Sequence, residues 1–496
     1  MRLVVAPWGW PWGWRSVNYR LGGCSVGGVR CSLSCILRCI GGDDARVLVI
    51  VADSLITGLG VDEAGSVAGY GDIVSRVEKL VDDWINGLGD GDDVKAAYRE
   101  GRLVVRVTPN IGFYQGRRDR STGRQLTVDA RLSLSRGLVD AISPLGLYMS
   151  YVLYYILEEL LGGGESFEEL VLDTSHGVNF MPLAVFNAAR LAALAYAASR
   201  GSGIGFTVYN SEPVVGSPPS RHVFNVHRVF SAEYGAADAA RLLAYEISYG
   251  DRVYLLKQAG KLEEELQHRV NGVRSEARRL YGEALPAVGI YKACAALAAA
   301  YYAADHGDGG AFLGKALGVL REALRVSRDA VSVGIEDDGG RAVVAEWRLV
   351  PRVDGFERLV AAAALADYIV EAGSAARGGD GFTIDELDSV VGRICSPNCF
   401  TSLNEHDRIA GRLRAGEPYI AFAVGSWPGE GCMYSSMDVR NFVAHGGLER
   451  NLVEARVDDG VVRLRYREGC WRKVREGVLV DVAIDKYAGG GKYCLR

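Results

Sequence analysis

The chain has 496 residues, 49% hydrophobic and 24% charged, which exceeds one ordinary core and reads as about two to four soluble globular domains. A net charge of −5 and a pI near 5.9 exclude a protein that coats nucleic acid through a broad basic surface, though not one with a local basic groove. Arginine outnumbers lysine 47 to 9, a skew that spans the whole chain and points to codon usage before phosphate binding.

The first 215 residues alternate two periodicities. Leu3 to Ala6, Val47 to Ala52, Leu103 to Val107, Leu170 to Leu172 and Phe206 to Tyr209 read as buried strands. Between them, Ile73 to Ile85, Leu145 to Leu161 and Pro182 to Ser199 read as helices. Apolar strands alternating with helices predict a mostly parallel sheet covered on both faces, with ligands beyond the C-terminal strand ends. From about Ala232 the pattern turns helical. Leu262 to Leu280 is charged and amphipathic, a solvent-facing linker or interface helix, and Leu285 to Ala304 is apolar enough to be buried. Two strand-like runs between Ala330 and Val350 flank Asp337-Asp338-Gly339-Gly340, a hairpin signal. Phe356 to Ala372 and Ile384 to Ile394 read as helices, and Gly460 to Tyr466 and Gly477 to Ile484 as short strands.

No secretion signal opens the chain, and the longest uncharged stretch, Ile142 to Leu157, is interrupted by Pro144 and Gly146. A cytoplasmic protein with mostly reduced thiols is expected. Cys31, Cys35 and Cys39, with Cys24 before them, fit one thiol-rich helix face in the core better than a metal site, which needs tighter pairs. Cys395 and Cys399 do not supply a metal-binding pair either, and could form a disulfide if the source is a hyperthermophile. His222, His227, His268, His306 and His406 show no metal-ligand spacing, and no glycine-rich phosphate loop follows a strand. No metal and no cofactor are expected.

Three elements carry chemistry. Ala6 to Trp14, followed by Tyr19, places four tryptophans after the first strand, as stacking surfaces for bases or as a hydrophobic loop packed on a partner subunit. Asp173-Thr174-Ser175-His176-Gly177-Val178-Asn179 runs from a buried strand into a helix. Its hydroxyls, glycine and helix N-terminus suit a nucleotide, but a capped strand-to-helix turn explains it equally well. The third element is Arg440-Asn441-Phe442-Val443-Ala444-His445. On a helix Asn441 and His445 share a face and Arg440 lies close by, a ribonuclease-like set. With only 7 histidines and 47 arginines, an arginine five before a histidine arises by chance in roughly half of such chains.

Taken in order, Pro7-Trp8-Gly9 with Pro11, Trp14 and Tyr19, then Asp173 to Pro182, Tyr209 to Pro213 and Arg440 to His445, the sequence resembles the Csx-type CRISPR-associated ribonucleases of type III immunity. The resemblance covers both ends and most of residues 1–215 and is thin between about 216 and 400. It implies an α/β Rossmann-like CARF sensor domain at 1–215, a helical linker at 216–280, and an α-helical HEPN ribonuclease domain at 281–496 with a small β insertion near 330–350. It implies an activator, a cyclic oligoadenylate and usually the tetra-adenylate, held by Trp8, Gly9, Trp14, Tyr19, Asp173, Thr174, Ser175, His176, Gly177 and Asn179. It also implies metal-independent cleavage of single-stranded RNA in antiviral defence. His445 would act as general acid and base, Arg440 on the phosphate and Asn441 in positioning, with Gly446-Gly447 leaving room for substrate. The active unit would be a homodimer or an oligomer of dimers. Two other readings remain: a ligand-binding regulator whose HEPN domain is inactive and serves dimerisation, and a ring nuclease that degrades its own activator.

Overall fold

The computed structural model describes residues 1–140, 142–178, 180–214, 222–307, 311–337, 340–376, 380–395, 408, 411–412 and 420–486. An eight-stranded sheet forms the first half. Its spatial order is β3 (Cys24–Val29), β2 (Val17–Leu21), β10 (Val223–Tyr234), β9 (Ile204–Ser211), β8 (Glu169–Asp173), β1 (Arg2–Trp8), β4 (Ala45–Ala52) and β5 (Leu103–Thr108). The pairs from β9 through to β5 are all parallel, while β9–β10 and β2–β3 are antiparallel. Leu3 to Ala6 and Val47 to Val51 are fully buried, because a sheet layered on both faces has no polar side to alternate with.

The helices Pro144–Gly162 and Met181–Arg200 pack side by side and against this sheet. Met181–Arg200 is the one described helix long and apolar enough to cross a membrane, but 72% of its apolar window is buried inside the protein. A helical layer covers this pair: Val353–Gly373 packs on Met181–Arg200, and Phe312–Asp329 on Pro144–Gly162. Val353–Gly373 also contacts Glu264–Ala293 and Ala296–His306, so the α/β half and the helical half share one apolar core.

Three expectations change here. The two helices foreseen at 262–280 and 285–304 are divided elsewhere: Glu264–Ala293 is one 30-residue helix running through the expected boundary at 280/281. Pro286 lies inside it without ending it, because everything from Ala284 to Ala293 is buried and packing outweighs the lost hydrogen bond. The run at 477–484 is not a strand. It forms a π-turn at Val474–Val478 and a helix at Leu479–Ala483. Burial of Val474, Val478, Leu479, Val482 and Ala483 follows the helical period, which a short apolar run hides in sequence. The hairpin near 330–350 is present as β12 (Val331–Glu336) and β13 (Ala342–Trp347), but it is not free-standing. β13 pairs in parallel with β7 (Asp129–Leu134), and with β6 (Gly112–Tyr114) they form a four-stranded sheet that ties the first third of the chain to the last.

Two further small sheets complete the helical half. β11 (Leu256–Gln258) pairs with β14 (Leu349–Pro351). β15 (Phe382–Thr383), β18 (Val461–Tyr466), β17 (Val453–Asp458) and β16 (Ala421–Val424) form the other, of which only β18 was foreseen.

The expectation of mostly reduced thiols is corrected. Disulfides join Cys24 to Cys39 and Cys432 to Cys470. Cys31 and Cys35 are free and buried on the short helix Ser32–Ile40, at its start and within it, which keeps the thiol-rich core face. Cys395 is also free, and Cys399 lies outside the described residues.

Candidate functional site

The ends of β1 and β8 are adjacent in the sheet, so the loops that follow them meet. The Gly9 N–H donates to the His176 carbonyl at 2.8 Å. A Cβ at Gly9 would stand 2.6 Å from Val178 Cγ1, so the approach requires glycine. Gly177 is held as tightly, its Cβ position being 2.8 Å from Pro182 Cγ and 3.3 Å from Pro7 Cγ.

Asp173 closes β8 and is 1% exposed. Its Oδ2 accepts the Ser32 hydroxyl at 2.7 Å, and its Oδ1 accepts the Ser175 N–H at 3.0 Å and the Ser175 hydroxyl. The Ser175 oxygen in turn accepts the Ser211 N–H at 2.9 Å. Thr174 donates through both its N–H and its hydroxyl to the Tyr209 carbonyl, at 2.9 and 3.0 Å. His176 Nε2 accepts the Ser32 N–H at 3.1 Å, and its ring lies 4.1 Å from that of Trp14. Burial holds the His176 pKa below the usual value, partly opposed by the Asp173 charge. An imidazolium has no lone pair for Ser32, so geometry and burial both select the neutral ring.

A cavity of about 300 Å3 opens beside these loops. Of the residues anticipated for a ligand, Trp14, Tyr19, Ser175, His176 and Gly177 line it. Trp8 does not serve as a stacking platform. It belongs to β1, is 0% exposed, and packs edge-on between Trp14 and Trp84 at 5.4 and 5.3 Å. Asp173 and Thr174 hold the loop through bonds to Ser32, Ser175 and Tyr209. Tyr19 is 1% exposed, and burial raises its hydroxyl pKa well above the usual range. Asn179 lies outside the described residues.

Arg30, an exposed cation on the same cavity, was not foreseen, and Arg15, Ser211 and Glu212, which lie in segments carrying the resemblance, were given no role of their own. Arg15 directly follows the Trp-rich loop. No local pattern marks Arg30, because only the folding back of the β2–β3 hairpin brings it to this edge.

The second site is the six-residue helix Val439–Ala444. Asp438 caps it by accepting the Arg440 N–H at 2.8 Å, and the His445 N–H donates to the Asn441 carbonyl at 3.0 Å. Asn441 and His445 are therefore stacked one turn apart, as the spacing requires. Phe442 is fully buried and anchors the turn, Asn441 and His445 are half-buried, and Arg440 is exposed. Arg440 makes no ion pair among the described residues, so its guanidinium is open to an anion. Gly446 and Gly447 take φ of 56° and 84°, and the Gly447 N–H returns to the Phe442 carbonyl at 2.7 Å. They follow the helix end at Ala444. Gly447 does not leave room for substrate, because a Cβ there would lie 2.9 Å from Ala295 Cβ. Its role is close packing.

Comparison with known families assigns both regions. Residues 3–213 match the CARF domain of the CRISPR system endoribonuclease Csx1, and residues 403–468 match the HEPN domain of the same family. No curated protein matches the chain.

Proposed function

The chain belongs to the Csx1 family of CRISPR-associated CARF–HEPN ribonucleases, and on that premise we propose that it is a metal-independent single-stranded RNA endonuclease switched on by a cyclic oligoadenylate. The observation that carries this reading is the Arg440, Asn441 and His445 set on one short helical turn, inside the segment that matches the HEPN domain.

RNA supplies its own nucleophile. His445 takes the proton of the 2′-hydroxyl as the 2′-oxygen bonds to phosphorus, and a protonated histidine returns a proton to the departing 5′-oxygen. The P–O5′ bond breaks, leaving a 2′,3′-cyclic phosphate and a 5′-hydroxyl. Arg440 stabilises the charge on the phosphorane through its fork of donors, and Asn441 orients the phosphate or the imidazole. One histidine cannot both accept and donate in a single step, so a two-fold dimer, which brings a second copy of the turn, suits the chemistry. The same symmetry suits a cyclic activator bound across two CARF domains.

The test is cleavage of labelled single-stranded RNA in chelator, with and without cyclic tetra-adenylate. Stimulated cleavage by the unaltered protein and none by His445→Ala is expected. No stimulation, or full activity of His445→Ala, would sink the reading.

A further inference from the structure

The hairpin β6–β7 forms an arm whose charge runs against that of the rest of the chain. Residues 112–136 hold six arginines and two aspartates, while the whole protein carries a net −5. Of the six, Arg118 pairs with Asp129 and Arg131 with Glu336. Arg117, Arg120, Arg124 and Arg136 are exposed and make no ion pair among the described residues. Unpaired cations gathered on one arm of an acidic protein favour a polyanionic partner.

Apolar surface interleaves with this charge. Phe113 is 61% exposed and Leu126 45% exposed. Phe113, Gln115 and Arg117 alternate with the less exposed Gly112, Tyr114 and Gly116, so they share the outer face of the ribbon. Phe113 stands opposite Arg131 in the ladder, and the Arg131 guanidinium lies 5.9 Å from its ring centroid. An exposed ring among arginines suits a nucleic-acid single strand: the guanidinium groups take the phosphates, and the ring stacks on an unpaired base. A duplex keeps its base faces covered, and an acidic protein offers the ring no base to stack on.

The arm holds these groups still. At its tip, Asp119 Oδ1 accepts the N–H groups of Ser121 and Thr122 at 2.9 and 2.8 Å and their hydroxyls at 2.6 and 3.0 Å. The Asp119 N–H donates to the Arg124 carbonyl at 2.7 Å, which fixes the turn that carries Arg120 and Arg124. Lower down, the Arg117 N–H donates to Thr127 Oγ1 at 2.7 Å and the Gly116 N–H to Asp129 Oδ1 at 2.8 Å. Gln125 donates to the Arg341 carbonyl at 2.8 Å and accepts the Arg341 N–H at 2.7 Å, which anchors the arm beside β13. A surface ordered in advance loses less entropy when it binds.

Resting on the ribonuclease reading above, we infer that this arm is a docking surface for the single-stranded RNA substrate, separate from the Arg440–His445 turn: Arg117, Arg120 and Arg124 hold backbone phosphates and Phe113 stacks on a base. A chain without a broad basic surface gathers its substrate through this local patch.

RNA affinity is measured by fluorescence anisotropy on the full chain, with a labelled single-stranded oligonucleotide and across a salt series. His445→Ala serves as the parent, so that the RNA stays intact. Arg120→Glu/Arg124→Glu should weaken binding about tenfold and lower the slope of log affinity against log salt by at least about 1.4, at roughly 0.7 for each phosphate contact. Phe113→Ser should weaken binding about tenfold with the slope unchanged, because stacking releases no counterion. Arg278→Glu, which alters an exposed arginine on the helix Glu264–Ala293, is the control and should change affinity less than about twofold. With His445 restored and cyclic tetra-adenylate present, the arm variants should raise KM for RNA and leave kcat and the half-activating concentration unchanged. The substituted side chains are exposed, so melting midpoints and light-scattering masses should match the parent's. Unchanged RNA affinity in both arm variants, an equal loss in Arg278→Glu, or a parental preference for the duplex of the same sequence overturns the inference. A change confined to the activator response or to the oligomeric state also overturns it, assigning the arm to the sensor or to a contact between copies. Binding by His445→Ala requires no cleavage, so a failure of the ribonuclease reading alone is seen separately; failure to bind or cleave RNA at all overturns both.

Discussion

The Cys432–Cys470 disulfide encloses the whole Arg440–His445 turn together with β17 and β18, so its removal should loosen that turn selectively. The two cysteines are 38 residues apart in sequence. In the chain-entropy model, opening a loop of that length costs about 4 kcal/mol at 25 °C. At a urea m-value of about 2 kcal/mol/M for the affected unit, the midpoint should fall by about 2 M. The assay is pulse proteolysis across a urea series, with cleavage sites mapped by mass spectrometry, on the unaltered protein and on Cys432→Ala/Cys470→Ala. Both positions change to alanine because Cys470 is fully buried and a lone thiol would be left behind. Segment 432–470 should become protease-sensitive at lower urea, while β1, β4 and β8 keep their transition. An unshifted transition for 432–470, or an equal shift at both ends of the chain, would show that the cross-link does not act as argued.

Three shorter predictions follow from close packing and protonation. A Cβ at Gly289 would lie 2.0 Å from the Leu479 carbonyl oxygen, so Gly289→Ala should push the helix Leu479–Ala483 off its seat and cost about 2–3 kcal/mol, read by urea denaturation. His176 has its pKa lowered from 6.5 by burial, so below pH 6.5 the unfolded chain binds the proton more readily than the folded one. Its contribution is therefore present above pH 6.5 and lost as the pH falls through the folded value; His176→Gln should flatten that acid slope, and an identical slope in both proteins would refute it. Asp53 runs the other way, its pKa rising from 3.8 to about 8, so its contribution is full below pH 3.8 and lost as the pH climbs toward 8. Asp53→Asn, which mimics the protonated carboxyl, should be at least as stable as the parent at pH 8 by thermal denaturation, with a weaker dependence between pH 4 and 8.

The misread parts of the chain share one feature, which is that a distant segment decides them. Val47 to Val51 announces a two-sided buried strand by composition alone. Because β1 and β8 are parallel neighbours, the loops that follow them carry Trp14, Ser175, His176 and Gly177 to one edge. Asn441 and His445 lie one turn apart because four residues make one helical turn, wherever the helix sits. By contrast, Leu479 to Ala483 looks strand-like until the Glu264–Ala293 helix offers it a surface of helical period.

The sequence by itself determined the alternation of strand and helix in the first half, the two loops that meet at one sheet edge, the one-turn spacing of Asn441 and His445 and the family they compose, because each is written in spacings shorter than about one or two turns or strands. Only the tertiary structure decided that Trp8 is a core residue, that Arg15 and Arg30 share a cavity with His176, that Cys24 pairs with Cys39, and that β7 and β13 join segments more than two hundred residues apart. These depend on which chain segments meet, and that is set by the summed packing of the whole molecule, to which no local pattern has access.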